Sequence, residues 1–424
     1  MTVRSPDSRL PGAYWRQFAA SGISNLGDGV NFAAMPLLAV SLTDDVRLIA
    51  AVSFAGMIPW LLLSLPAGVY IDRWNRRTVM VVADSIRAAV FLAIAALVAV
   101  DVFSIWALLS LMCVVGCCEV FFDMSAQAHL PSLVAPEQLQ RANGMLYSAE
   151  VILNSFVGLP VGAWLFVIAS GVPFGINGAS FALAAALVAT ITPHGASTAA
   201  NPDPTGDPTP ARPHFVAELR TGMTWLWGHR SLRTLAILLG VTNMSLMFGE
   251  SIFVKFAFRY LGVGARGYGI LLAAMSVGAI VGGLVGDRIA ARLGVSASII
   301  GAYAIFAVAD VVRASFPNVV VVTGMSVAVA LAGTVWNVIT VSYRQRVIPA
   351  DLFGRVNSAY RFIGTGSIAL GALIGGQVAH LVGLRAPFFL GSLVTLVALA
   401  WGLPTLVDPS FAGGPAAEAT TDVG

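Results

Sequence analysis

Twelve apolar segments, most of them twenty residues or longer, follow one another along this chain. They cover residues 15–40, 47–70, 78–100, 103–127, 141–168, 172–193, 232–258, 264–286, 295–314, 318–341, 356–380 and 385–406. A helix rises 1.5 Å per residue, so each segment can cross the ~30 Å hydrocarbon layer of a bilayer. Many carry Gly, Ala and Ser, which let helix backbones approach closely. The expected fold class is therefore an all-α membrane protein with twelve transmembrane helices. The first segment has no signal-peptide cleavage pattern and is too long for the apolar region of one.

Charge supports this reading and sets a direction. Only 11% of the 424 residues are charged, against about 25% in a soluble domain. Lys255 is the only lysine, and the arginines gather in short loops. Arg4, Arg9, Arg73, Arg76, Arg77, Arg141, Arg212, Arg220, Arg230, Arg288, Arg292, Arg344, Arg346 and Arg355 fall on one side. Arg47, Arg259, Arg266, Arg385 and Arg313 fall on the other. The richer side is the cytoplasm, which places both termini and the central linker inside a multi-pass protein of the cell membrane. The basic excess thus reports topology and contact with the bilayer, and nucleic acid is not an expected partner.

Enzyme chemistry finds little support. His129, His194, His214, His229 and His380 lie in loops or near segment ends, with no metal-binding spacing. Cys113, Cys117 and Cys118 share one apolar run and read as spectator thiols, without disulfide or metal. Nucleophile-elbow and phosphate-loop patterns are absent, so no cofactor is expected and direct ATP coupling would need a separate subunit.

The linker HGASTAANPDPTGDPTPARPH, residues 194–214, cannot form a packed element. The stretch FVAELRTGMTWLWGHR after it has helical apolar spacing and suits a helix on the membrane surface. The expected organisation is a six-helix half at 1–193, a linker and surface helix at 194–230, a second six-helix half at 231–407, and a disordered tail at 408–424. The halves repeat. GVYIDRWNRR, from Gly68, aligns with GLVGDRIAAR, from Gly283. Gly68, Asp72, Arg73 and Arg77 match Gly283, Asp287, Arg288 and Arg292 at a constant offset of 215. Arg141 and Arg355, Asn143 and Asn357, and Gly162 and Gly376 are 214 apart. Such offsets indicate duplication of a six-helix unit, an arrangement found in secondary transporters.

GVYIDRWNRR resembles the loop between the second and third helices of the major facilitator superfamily, G-x-x-x-D-R-x-G-R-R. Asn75 replaces its second Gly and is the next best residue for a left-handed turn. GLPVGAW, from Gly158, resembles in part the Gly-Pro-x-x-Gly element on the fifth helix of antiporter members. ISNLGDGV and AHLPSLVAPEQLQRANG resemble the branch containing macrolide-efflux proteins and the enterobactin exporter. The resemblance implies the two-half transporter fold and a latch on the cytoplasmic side. In it the loop aspartate, here Asp72, caps the start of the eleventh helix near Arg355 and Val356. The loop arginines, Arg77 among them, pair with an acid on the fourth helix, here Asp123.

Ionisable residues inside spans are costly and mark function by default. Ser21, Asn25, Asp28 and Phe32 share one helix face, as do Asn143, Tyr147, Glu150 and Asn154, and Asn243, Met247 and Glu250. These stripes, with Trp336 and Asn337, are candidates to line a substrate cavity. Asp84 and Arg87, and Asp310 and Arg313, are i, i+3 and read as structural pairs within their helices. Their offset of 226 departs from the repeat, so they are not expected to be equivalent. The repeat sets Asn243 opposite Asp28, Asn337 opposite Asp123, Gly333 opposite Glu119 and Gly364 opposite Glu150. Carboxylates concentrate in the first half, so Asp28, then Glu119 and Glu150, are the proton-coupling candidates. The expected function is a monomeric proton-coupled exporter of an amphipathic organic compound. The alternatives are a nutrient importer, kept open by Trp336 and Asn337, and more remotely a membrane-embedded enzyme.

Overall fold

A computed structural model of the chain describes residues 10–135, 138–191, 215–349, 352–408 and 411. The linker at 194–214 lies outside the described residues, as do most of the tail and the side chains of Asp72, Arg73 and Tyr147. All regular structure among the described residues is helical. The helices are α1 (Gly12–Leu42), α2 (Val46–Arg73), α3 (Arg76–Ala99), α4 (Ile105–His129), α5 (Leu139–Val151), α6 (Leu159–Ile168), α7 (Val172–Ala189), α8 (Phe215–Gly228), α9 (Arg230–Glu250), α10 (Phe253–Phe256), α11 (Ala265–Leu293), α12 (Val295–Ser315), α13 (Val319–Val347), α14 (Phe353–Val382) and α15 (Ala386–Leu406). A π-helical stretch, Ile152–Gly158, joins α5 to α6, and another, Ala257–Leu261, extends α10.

Joined in this way, the helices give twelve crossings. Eleven are long and apolar enough by composition to span a membrane. The twelfth, α1, is 31 residues long but diluted by Asn25, Asp28, Asn31 and its glycines. It sits against α5–α6 and α7. Loop residues stop and start the helices. Asp45 accepts from the Arg47 N–H to begin α2, Ser104 from Ala107 to begin α4, and Asn318 from Val320 to begin α13. Asn75 does the same for α3, accepting from the Thr78 N–H at 3.2 Å. Its φ of −69° corrects the left-handed turn expected there: a side chain that can cap the helix replaces the glycine geometry.

Alternation of the crossings defines a near end, where α1 starts and α15 stops, and a far end. The apolar cores differ between them. At the far end one cluster crosses both halves, joining Ala33–Ala39, Ile49 and Ala163 to Phe253, Phe256, Leu271 and Phe388. Gly376 of α14 sits against Ala50 of α2, and Gly269 of α11 against Ala163 of α6. Lys255 pairs there with Asp44 across the halves. At the near end each half has its own cluster, one around Tyr14, Met80 and Phe122, the other around Leu235, Tyr303 and Tyr360. Phe411, within the segment expected to be disordered, is buried and stacks on Tyr343. The halves therefore share an apolar core at the far end and keep separate ones at the near end, while α2 still meets α14 at mid-bundle, Leu61 against Gly366, and touches α8. Over the near end lies α8, where Gly222 lets it rest on the backbone of Arg355.

Candidate functional site

Asp28 lies midway along α1. Arg87 on α3 reaches it with Nη2, 3.0 Å from Oδ1 and 3.2 Å from Oδ2. The same guanidinium donates from Nη1 to Asp84 at 3.3 Å. Arg87 and Asp84 are fully enclosed, whereas Asp28 keeps about a quarter of its side chain exposed. The guanidinium is seated 4.0 Å above the Phe181 ring of α7, with Phe122 of α4 on another side. Glu119 and Asp123 of α4 are within electrostatic reach of Arg87, and Glu119 also of Asp28 and Glu150. One cation thus stands among four carboxyl groups.

Asp28 is held by the backbone next to it. Gly29 admits the carbonyl of Asn154, where a Cβ would come within 2.1 Å of the oxygen. Gly158 and Gly162 press on Gly29 and Val30 at equally short range. This i, i+4 pair of glycines is the close-approach motif of membrane helices. It belongs to GLPVGAW, so that element joins α6 to α1 beside the carboxylate. The π-helical stretch before it lies on the same junction, a common place for such a departure.

The second half repeats the arrangement. Arg313 on α12 donates from Nη1 to Glu250 of α9 at 3.2 Å and pairs with Asp310 at 3.6 Å. Gly371 and Gly375 of α14 press on the carbonyls of Met244 and Phe248 of α9. The first and third helices of each half therefore hold an acid–arginine–acid triad, and the first and fifth meet at a glycine pair. The offset argument holds at the glycine junction, where Gly158 meets Gly29 beside Asp28 and Gly371 meets Met244 beside Asn243. Asn243 is thus the positional counterpart of Asp28, and the second triad is an analogous one built at a different depth. The offsets exceed 215 by 11 on the third helix and 7 on the first, about three and two turns. Whole turns keep a side chain on its helix face, so the second triad uses the same faces further toward the far end. Gly162 likewise corresponds to Gly375, since Gly376 turns to α2.

The remaining candidates are spread more widely. Asn243 donates to the Gly364 carbonyl at 3.0 Å, which ties α9 to α14. Met247 faces Gly371 on the same seam. Asn25 donates to Ser21 within its own helix. Phe32 is 58% exposed, and Asn337 and Glu150 are also exposed. Asn154 is half-buried at the α1 junction. Trp336 packs between the clusters of α12 and α13, its indole N–H without a partner. In the near-end loop Arg77 donates to the Ala189 carbonyl of α7 rather than to Asp123, and Arg76 to the Ala128 carbonyl. In the second copy Arg288 donates to Leu284 of its own helix, and Asp287 and Arg292 are exposed. Arg87 and Arg313 as partners of the first-helix acids escaped the sequence reading. The signal was present: the same Asp-x-x-Arg stands on the third helix of both halves.

The geometry finds close company among known proteins. Multidrug efflux pump Tap of Mycobacterium tuberculosis is 27% identical over 375 residues, covering 85% of this chain and 86% of that protein. Multidrug efflux pump Tap of Mycolicibacterium fortuitum is 25% identical over 405 residues, covering 92% and 95%. Among solved structures, the nucleoside transporter NupG superposes with a TM-score of 0.69 at 13% identity, covering 94% of this chain and all of that one. A bacterial homologue of the iron transporter ferroportin, in an inward-facing state, gives 0.70 at 15% identity, covering 93% and 99%. These two establish the fold alone. The family model described as transmembrane secretion effector matches residues 12–410, so the chain belongs to that family of major facilitator transporters and moves a small molecule across a lipid bilayer.

Proposed function

We propose that this transporter exports an amphipathic organic compound in exchange for protons, and that Asp28 is the group where the two compete. The observation that carries the reading is the Asp28–Arg87–Asp84 triad midway through the bundle, with Glu119 and Asp123 beside it. A buried cation facing more carboxylates than it can neutralise favours uptake of a proton. Protonation of Asp28 weakens its hold on Arg87, which can then turn wholly to Asp84. Because α1 and α3 each carry one partner, that exchange changes how the two helices are tied and biases a two-state equilibrium.

The near end carries the arginine-rich loops and is taken as cytoplasmic. The halves keep separate apolar cores at that end, which favours entry of the substrate from inside the cell. Efflux fits the name of the Tap relatives, and the amphipathic substrate fits Phe32 and Met247 near the triad helices. The near-end loop around Asp72, Arg76 and Arg77 serves as the latch that closes this side in the other half of the cycle.

The test is accumulation in an efflux-deficient host, screened over amphipathic compounds with and without a protonophore. A compound expelled by the wild type should be retained when the gradient is collapsed. Asp28→Asn should then lose uphill efflux while still allowing downhill exchange in vesicles. Uphill efflux by Asp28→Asn at wild-type rate would refute the assignment.

A further inference from the structure

We propose that the Glu250–Arg313–Asp310 triad is a second proton-binding site, so that each half of the transporter holds one proton-exchanging centre. The role in transport rests on the proton-coupled reading above; the site itself does not.

Two carboxylates share one guanidinium in the second half, as in the first. Arg313 is 1% exposed and Asp310 only 6% by side chain. If all three groups were charged, one negative charge would stay uncompensated in an apolar surround, at high cost. The charged groups acting on Asp310 are Arg313 and Glu250. On the neighbouring elements, Tyr268 of α11 faces Glu250, Phe253 of α10 puts its ring 5.9 Å from the guanidinium, and α15 presents Gly391. A proton completes the balance.

The guanidinium gives the second, independent sign. In the first half Arg87 serves its two acids from two different nitrogens. In the second half Nη1 of Arg313 hydrogen-bonds Glu250 and lies 3.6 Å from Asp310, while Nε and Nη2 are buried without partners among the described residues; in Arg87 only Nε is so left. One short hydrogen bond, one looser ion pair and two idle buried donors leave the guanidinium under-used, which is the arrangement of a site that can re-pair when one acid takes a proton. With a proton on one carboxyl oxygen, a new O–H forms there and the arginine stays fully protonated. Its fork can then close on the other acid. At Gly391 a Cβ would sit 3.1 Å from Asp310 Oδ2, so the glycine leaves room for that carboxyl to turn.

Position separates the two centres. Arg313 is near the stop of α12 and Arg87 midway along α3. The extra 7 and 11 residues place the second triad about 10–16 Å further toward the far end. Glu250 keeps 27% of its side chain exposed, which gives the triad an entry for the proton.

Protons themselves are the probe. Infrared difference spectra of the purified full chain, in H2O and D2O between about pH 5 and 8, resolve the C=O band of each carboxyl that gains a proton. The wild type should show a band that Asp310→Asn or Glu250→Gln removes and that Asp28→Asn leaves in place. Either isosteric variant reads the same site if the other fails to fold. A spectrum unchanged in both variants would overturn the proposal. Proteoliposomes with ethidium as probe separate the two claims. Ethidium efflux blind to a pH gradient, with the band still lost in Asp310→Asn, would sink proton coupling and leave the site. Gradient-driven efflux with no such band would do the reverse.

Discussion

The two halves share a plan and differ in where they keep their charge. Each ties its first helix to its third through an arginine between two acids, and its first to its fifth through a glycine pair. In the first half the triad is mid-bundle, with Glu119 and Asp123 added from the fourth helix. In the second it lies toward the far end, and the fourth-helix positions hold Gly333 and Asn337. A duplicated unit would start with equal depths and equal partners. One half thus keeps a densely charged centre at mid-bundle while the other keeps a sparser one toward the far end.

Removal of the arginines should break the comparison most visibly. Arg87→Ala strands Asp28 and Asp84, and breaking a buried pair costs about 3–5 kcal/mol. Arg313→Ala likewise strands one buried acid and one partly exposed acid, but no fourth-helix acids stand beside them, so its loss should be smaller. Thermal unfolding in detergent should rank Arg87→Ala below Arg313→Ala and both below wild type. Equal melting temperatures would mean that the extra acids of the first half do not feel the arginine.

The glycine junctions should respond next. Alanine at Gly162 would meet the Val30 carbonyl within 2.2 Å, and alanine at Gly375 the Phe248 carbonyl within 2.3 Å. Each forces two backbones apart, at about 1–3 kcal/mol for an overpacked contact. Gly162→Ala displaces α1 next to Asp28 and should impair uphill efflux more than Gly375→Ala. Equal transport by the two variants, at equal expression, would uncouple the junction from the site.

Loop pairs at the far end should matter least. Hydrogen bonding to Arg47 holds Asp45 down to about 2, and Lys255 holds Asp44 below the usual carboxylate range. Both folded values lie below the unfolded value near 3.9. Their stabilisation is therefore present above that value and fades as the pH falls through the folded ones. The pairs are solvent-exposed, and such pairs contribute little. Asp44→Asn should leave the melting temperature nearly unchanged at neutral pH while raising far-end accessibility to a thiol reagent at an introduced cysteine. An unchanged accessibility would remove Lys255–Asp44 from the closure of that end.

Much of the fold could be read from the sequence, because hydropathy and arginine placement depend on each residue against solvent rather than on its partners. The twelve crossings, the surface-helix segment α8 and the repeat all rest on such local terms. Asp28 stood out for the same reason. Its partner did not, since Arg87 already had a local explanation in Asp84, three residues away. The likeness of the triads was hidden because they stand at different depths, so a constant offset, which holds at the glycine junctions, does not pair them. Asn75 misled because an Asn can serve as turn or as cap, and only the φ of the folded chain decides between them. The junction of the halves at the far end involves glycines and alanines whose sequence carries no trace of the facing helix.

The central claim, exchange of a proton against substrate at Asp28, is tested most directly by counting protons. Purified protein at low buffer capacity is mixed with a compound that the wild type expels, and the proton release is recorded for wild type, Asp28→Asn and Glu250→Gln. The account predicts release by the wild type, at least one proton fewer per bound substrate from Asp28→Asn, and release from Glu250→Gln that still includes the Asp28 proton. Equal release from wild type and Asp28→Asn, with substrate bound by both, would contradict it and move the exchange to Glu119 or Glu150.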